Sequence, residues 1–338
     1  MKKTLIVLLI GFVMLAAALA YGAMDLYHYM HTPILEDQSS TTRMKIEPGD
    51  HFRVIVKKLQ AASLVDHPLK FEITARWKGF ARNLQAGEYR ISHQMTPLEV
   101  LSALNKGEVM LHRVTIPEGF NIRQVAARMA AKGLADVDAF IAAATDPELA
   151  GKLNIPADTV EGYLFPDTYA FAQTVSAEKI IRTMTGQLWQ HFPEKWQDRA
   201  REMKLSVHEI ITLASIIEKE TGAPEERKII ASVFHNRLEK NMRLETDPTV
   251  IYGIKDFDGN LTREHLKQHN PYNTYQVRGL PPGPIANPGL ASIRAALYPA
   301  DTEFLFFVSR RDGTHQFSET LQEHNQAVRK YQLSPRRP

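Results

Sequence analysis

The chain has 338 residues, 44% of them hydrophobic and 23% charged, with a net charge of +3. That length points to two soluble domains plus an accessory segment, and the near balance of charge argues against a dedicated nucleic-acid binder. The absence of cysteine excludes a disulfide framework, a Cys-based zinc site and thiol catalysis.

From Thr4 to Met24 the sequence is apolar or small and uncharged, preceded by Lys2 and Lys3. A helix over this run, rising ~1.5 Å per residue, covers the ~30 Å hydrocarbon layer of a bilayer. Ala18-Leu19-Ala20 has the small-residue pattern of a signal-peptide cleavage site. The apolar run continues past it, however, and Tyr27 and Tyr29 follow where an interfacial aromatic belt belongs. The expectation is a retained single-pass anchor with its N-terminus in the cytoplasm, and either reading exports the body of the chain. Residues 1–3 then form a cytoplasmic stub, 4–24 the transmembrane helix and 25–44 a polar linker containing the Ser39-Ser40-Thr41-Thr42 run.

Ile46-Glu47-Pro48-Gly49 is echoed by Ile116-Pro117-Glu118-Gly119, and a helix-patterned stretch follows each. Between them, Phe71–Ala75 reads as a strand and Gly87–Ile91 as a short alternating strand. Thr96 caps a helix with Pro97 at its first position. The segment 45–155 is expected to be a small α+β domain with two helices on a short sheet. The remainder, 156–338, is expected to be a larger mixed α+β domain. Its predicted elements are helices at 137–150 (ahead of the boundary), 177–192, 206–221 and from 224 onward, then loops up to Gly289. A helix near 290–297, a strand at 304–309, an Asp312-Gly313 turn and a helix over 318–331 complete it.

The helix at 206–221 opens on Ser206-Val207-His208-Glu209, a capping box, and stops at Gly222 and Pro224. Ile210, Leu213, Ala214 and Ile217 form its apolar stripe, which places Glu218 at the stripe's margin and Lys219 in solvent. Burial and the negative end of a helix dipole both favour a carboxyl group's neutral form, which a general acid requires. By periodicity alone, a rim glutamate reaching water is the favoured reading of Glu218. His265 and His269 are spaced as helical metal ligands but lack a site signature, so no metal is expected; no cofactor fingerprint is present either. Asp256, Asp258 and Asn260 fit a turn better than a calcium loop, whose twelfth position is here Lys267. Asn236, Arg237, Thr246, Asp247, Thr249, Tyr252, Asn273 and Tyr275 supply amides, hydroxyls and ring faces of the kind that line a sugar groove.

Six stretches in order resemble the endolytic murein transglycosylase family, also called YceG-like. They are Glu161-Gly-Tyr-Leu-Phe-Pro-Asp-Thr-Tyr169, Ala214-Ser-Ile-Ile-Glu-Lys-Glu-Thr221, Ser232-Val-Phe-His-Asn-Arg-Leu238, Met242-Arg-Leu-Glu-Thr-Asp-Pro-Thr-Val-Ile-Tyr-Gly253, Tyr272-Asn-Thr-Tyr275 and Gly279-Leu-Pro-Pro-Gly-Pro-Ile-Ala-Asn-Pro-Gly289. The resemblance implies that 45–155 is a LysM-like module, that 156–338 is the catalytic domain and that Glu218 is the catalytic glutamate. It implies cleavage of the β-1,4 bond between N-acetylmuramic acid and N-acetylglucosamine inside peptidoglycan strands, leaving a 1,6-anhydro end. A bacterial inner-membrane location with a periplasmic catalytic domain, close to the membrane-bound peptidoglycan synthesis machinery, follows from the same resemblance. Two other readings stay open: a tethered glycan-binding protein without catalysis, and a hydrolase pairing Glu218 with Asp247.

Overall fold

The computed structural model describes residues 2–34 and 40–333. The chain forms two compact units, one comprising Met1–His112 and Ala170–Thr174, the other Arg113–Tyr169 and Val175–Pro338. Residues 113–155 thus group with the unit that carries Glu218.

The first unit begins with α1, Lys2–His31, a helix long and apolar enough to cross a membrane, with its apolar side chains exposed. It outlasts the apolar run because nothing before Pro33 breaks it, and its last turn buries Tyr29 and Met30. Of the expected linker, 25–31 is therefore helix and 41–44 is strand, while 35–39 lie outside the described residues. Next come β1 (Thr41–Ile46), α2 (Phe52–Ala61), α3 (Pro68–Trp77), β2 (Gly87–Ser92) and α4 (Pro97–Lys106). β1 and β2 pair antiparallel, from Thr41 opposite Ser92 to Ile46 opposite Gly87. Met44, Ile46, Ile55, Leu59, Phe71, Tyr89, Ile91, Leu101 and Leu104 make the core.

The strand expected at Phe71–Ala75 is instead the middle of α3. Its β-branched, alternating letters suit a strand, but Phe71, Thr74 and Ala75 are buried together at helical spacing. Pro68 sits in the first turn, where its missing N–H costs nothing. Gly79, at φ +75°, follows the end of the helix. Thr96 caps α4 as expected and completes a capping box with Glu99.

Strand β3 (Leu111–Thr115) leads into α5 (Ile122–Ala130), α6 (Val137–Ala144) and α7 (Pro147–Lys152). One helix was expected over 137–150. Pro147 cannot continue α6, and Asp146 caps a new helix there by accepting the Glu148 N–H. After β4 (Thr168–Ala172) come α8 (Ala177–His191), α9 (Glu194–Glu202), α10 (Val207–Glu220), α11 (Arg227–Glu239) and α12 (Asp247–Gly253). The chain ends with α13 (Leu290–Leu297), the hairpin β5 (Phe306–Ser309) and β6 (His315–Ser318), and α14 (Leu321–Val328). His265 lies on a short 3-10 turn rather than an α-helix, and its Nδ1 accepts from Thr262 N–H.

The helix α10 is the centre of this unit. Every residue from Ile210 to Ile217 is buried, not only the predicted stripe. It packs against α13, α11 and α12. Each large aliphatic side chain so buried contributes about 1.5–3 kcal/mol. A helix held on all sides is a rigid base for whatever its last turn presents, and Glu218 is the first residue where the burial ends.

Candidate active site

Ser206 starts α10 in the predicted way: its Oγ accepts the Glu209 N–H, and its own N–H donates to the Glu209 carboxylate. Three turns on, Glu218 is half-buried, and its Oε2 accepts the backbone N–H of Gly289 at 3.0 Å. Gly289 is the N-cap of α13, so the positive end of that helix faces the carboxylate. Lys219 extends its amine toward the carbonyl of Gly119 at 3.4 Å.

A second carboxyl group shares this place. A Cβ at position 289 would stand 1.9 Å from Oε1 of Glu118. Gly289 has φ −75°, so it is glycine for space and not for backbone freedom. Burial raises the proton affinity of Glu118, the charge of Glu218 raises it further, and Arg227 opposes them. Glu118 belongs to the Ile116-Pro117-Glu118-Gly119 turn, whose sequence echo was visible but whose proximity to Glu218, a hundred residues away, was not.

The turn is fixed by Asn287. Gly119 N–H donates to the Asn287 carbonyl at 2.9 Å, and Asn287 N–H and Nδ2 both donate to the Phe120 carbonyl, at 2.8 and 2.7 Å. Asn287 Oδ1 in turn accepts the Leu164 N–H at 2.8 Å. Nearby, Ser215 of α10 accepts the Ile285 N–H through its Oγ at 3.0 Å. Two of the sequence stretches singled out above, 161–169 and 279–289, therefore meet α10 and brace the segment that carries Glu118. Gly162 also needs its identity: at φ +84°, a Cβ there would lie 2.4 Å from Pro284.

Glu161 is buried in this brace. It accepts hydrogen bonds from Ile122 N–H at 3.1 Å and from Tyr252 Oη at 3.2 Å, and Asn287 Nδ2 lies 3.4 Å away. Burial pushes it up to about 7, against the pull of these donors. Between the ordinary carboxylate value and that one, the folded chain holds a proton that the unfolded chain lacks, so this contribution to stability falls as pH rises from about 4.5 to 7. The full effect is on the order of 3 kcal/mol. Glu161→Gln should flatten that part of the profile; denaturant unfolding at pH 5 and pH 7.5 checks it, and an equally steep variant would rule the assignment out.

The eight polar residues expected in a groove fall into two groups. Asn236 Nδ2 donates to the carbonyls of Thr302 and Phe304. Arg237 donates to those of Leu305, Arg243 and Leu244 and pairs with Glu245. Thr246 donates to Glu220, Thr249 bonds Thr274, and the Asn273 amide gathers three loop carbonyls. These five tie neighbouring helices and loops together. Tyr252, Tyr275 and Asp247 keep exposed surface, with Tyr275 Oη on Asp247 at 2.8 Å. Among the described residues, none of the eight hydrogen-bonds Glu218. Glu220, two residues on from Glu218, is drawn into the Thr246 contact, and burial raises its proton affinity. Among the described residues no cluster of three or more His, Cys, Asp or Glu is gathered in a way that would hold a metal ion. The arrangement offers a fixed carboxyl group at a half-open surface, one backbone donor and a second carboxyl beside it, which is equipment for proton transfer.

Residues 44–330 match the YceG-like family. A protein of Bacillus subtilis named endolytic murein transglycosylase is 35% identical over 316 residues, covering 88% of this chain and 87% of its own. A Streptococcus pneumoniae protein of the same name is 28% identical over 94% of this chain, which spans only 64% of that longer relative. The crystal structure of a YceG-like protein from Listeria monocytogenes superposes with a TM-score of 0.59 at 34% identity, covering 86% of this chain and 99% of its own.

Proposed function

We infer, from the premise that this chain belongs to the YceG-like family, that it is an endolytic murein transglycosylase, a lyase that cuts within peptidoglycan strands with Glu218 as its acid and base. The observation that carries the role of Glu218 is its seat: the last turn of α10 just past the buried run Ile210–Ile217, half-open to solvent, with the Gly289 N–H on one oxygen to hold the ionised form once the proton is given. Neutral Glu218 gives its proton to the oxygen of the β-1,4 bond as that oxygen leaves C1 of the muramyl residue. The acetamido group of the sugar steadies the positive centre. Ionised Glu218 then takes the proton of the C6 hydroxyl while its oxygen bonds to C1, closing a 1,6-anhydro ring. No water is consumed, and one protein carboxyl group suffices where ordinary glycosidases use two.

Asp247 is the poorer candidate for a second catalytic carboxylate, since Tyr275 holds it at 2.8 Å and, among the described residues, no hydrogen bond or ion pair joins it to Glu218, Glu118 or Gly289. Glu118 is at that corner. Its raised proton affinity suits a hydrogen-bonding neighbour of the sugar better than a nucleophile. Accordingly Asp247→Asn should keep wild-type turnover within about threefold, a change too small for loss of an acid or base; a thousandfold fall would restore the two-carboxylate hydrolase. Tyr252, Tyr275 and Asp247 are assigned contacts with the glycan, and Asn236, Arg237, Thr246, Thr249 and Asn273 the shaping of its groove.

The β-α-α-β order of β1, α2, α3 and β2 supports reading the first unit as LysM-like. The apolar helix α1 supports a single-pass inner-membrane anchor, with the second unit on the periplasmic side and the synthesis machinery as neighbour. Incubating the purified protein with long glycan strands and following their length distribution tests the endolytic reading. A broad shift to shorter strands is expected, and release of disaccharides from intact strands would contradict it.

A further inference from the structure

Helix α3 is apolar on two faces. Phe71, Thr74 and Ala75 face the core of the first unit, while Leu69, Ile73 and Trp77 line the opposite side at i, i+4 and i+8, exposed by 71%, 43% and 67%. An outward stripe of a leucine, an isoleucine and a tryptophan is costly in water. Basic groups flank it: Lys78 lies 4.8 Å over the Trp77 ring, and Arg76 pairs with Glu72. Apolar and aromatic side chains edged by Lys and Arg are the composition of helices that lie in a membrane interface.

The contacts between α3 and α1 set its level. Tyr29 Oη donates to the His67 carbonyl, so the start of α3 stands beside the outer end of α1. One turn further along α3, Lys70 reaches Asp25 at 2.8 Å. Asp25 is the first charged residue after the apolar run. Residues 67–70 of α3 therefore stand beside residues 25–29 of α1, at the outer edge of the apolar run. The stripe starts at that level.

We propose that Leu69, Ile73 and Trp77 of α3 are seated in the headgroup layer of the same bilayer that α1 enters, giving the first unit a second, interfacial hold on the lipid surface. This rests on reading α1 as a membrane anchor. One helix alone leaves the unit free to swivel about it; a second contact beside it fixes the unit's face toward the membrane.

The chain has no cysteine, so single labels are clean. Ile73→Cys and Val13→Cys, each carrying an environment-sensitive fluorophore, are placed as full-length protein in nanodiscs of phosphatidylethanolamine and phosphatidylglycerol. Two quenchers are compared: lipids bearing a nitroxide just below the headgroup, and a water-soluble nickel chelate. The expected result is strong quenching at position 73 by the lipid nitroxide, with weak quenching by the chelate. Quenching at 73 by the chelate alone would place the stripe in water, and shielding from both would mean that a second copy or another protein covers it; either overturns the proposal. The label at 13 separates this from the anchor: lipid quenching there with none at 73 defeats the proposal alone, and no lipid quenching at 13 defeats the anchor.

Discussion

Glu218→Gln should lower the rate of strand cleavage by about 10²–10⁴-fold, the range expected for removal of a general acid–base. Glutamine keeps the size of the side chain, and its amide oxygen can still accept the Gly289 N–H that now binds Oε2 at 3.0 Å. Because the burial of Ile210–Ile217 does not involve the carboxyl group, unfolding should be unchanged. The check is release of soluble fragments from purified sacculi, with thermal unfolding in parallel. Equal release by wild type and variant would leave only the reading of a tethered glycan-binding protein.

Asn287→Ala carries the largest expected effect on stability. The side chain is fully buried and joins Leu164 N–H and the Phe120 carbonyl, with Glu161 beside it. Alanine leaves a buried donor and a buried acceptor without partners, at about 1–3 kcal/mol each, and adds a small cavity. A loss of roughly 3–5 kcal/mol is expected from urea unfolding. The same bonds hold the Phe120 carbonyl that follows Glu118, so activity should fall even where the variant is still folded. A change below about 0.5 kcal/mol would mean that the brace between residues 161–169 and 279–289 is not needed, since only surface substitutions are normally so mild.

The long apolar helix α1 and the elements around Glu218 were legible because each rests on a local signal: an uncharged apolar run, a capping box at Ser206, glycine and proline at the far end. The first unit's α3 was not, because five residues rich in alternating apolar letters do not separate a strand from a buried helix. The burial of α10 on all sides was hidden as well. Thr212 and Ser215 look like a polar face, yet their hydroxyl groups lie inside, with Ser215 bonding the Thr212 carbonyl and the Ile285 N–H. Composition also could not divide the groove residues: an arginine such as Arg237 reads as a ligand-binding group until its carbonyl partners are seen. Glu118 was missed for a different reason. Its partnership with Glu218 exists only in three dimensions, through the missing side chain of Gly289.

A single carboxyl group that serves first as acid and then as base predicts one chemical outcome. The direct measurement is mass spectrometry of the strand ends released from purified peptidoglycan. Ends lighter by one water than a reducing sugar, the 1,6-anhydro form, are the predicted product. Reducing ends carrying oxygen from labelled water would show that water is the nucleophile and that Glu218 works with a second carboxylate.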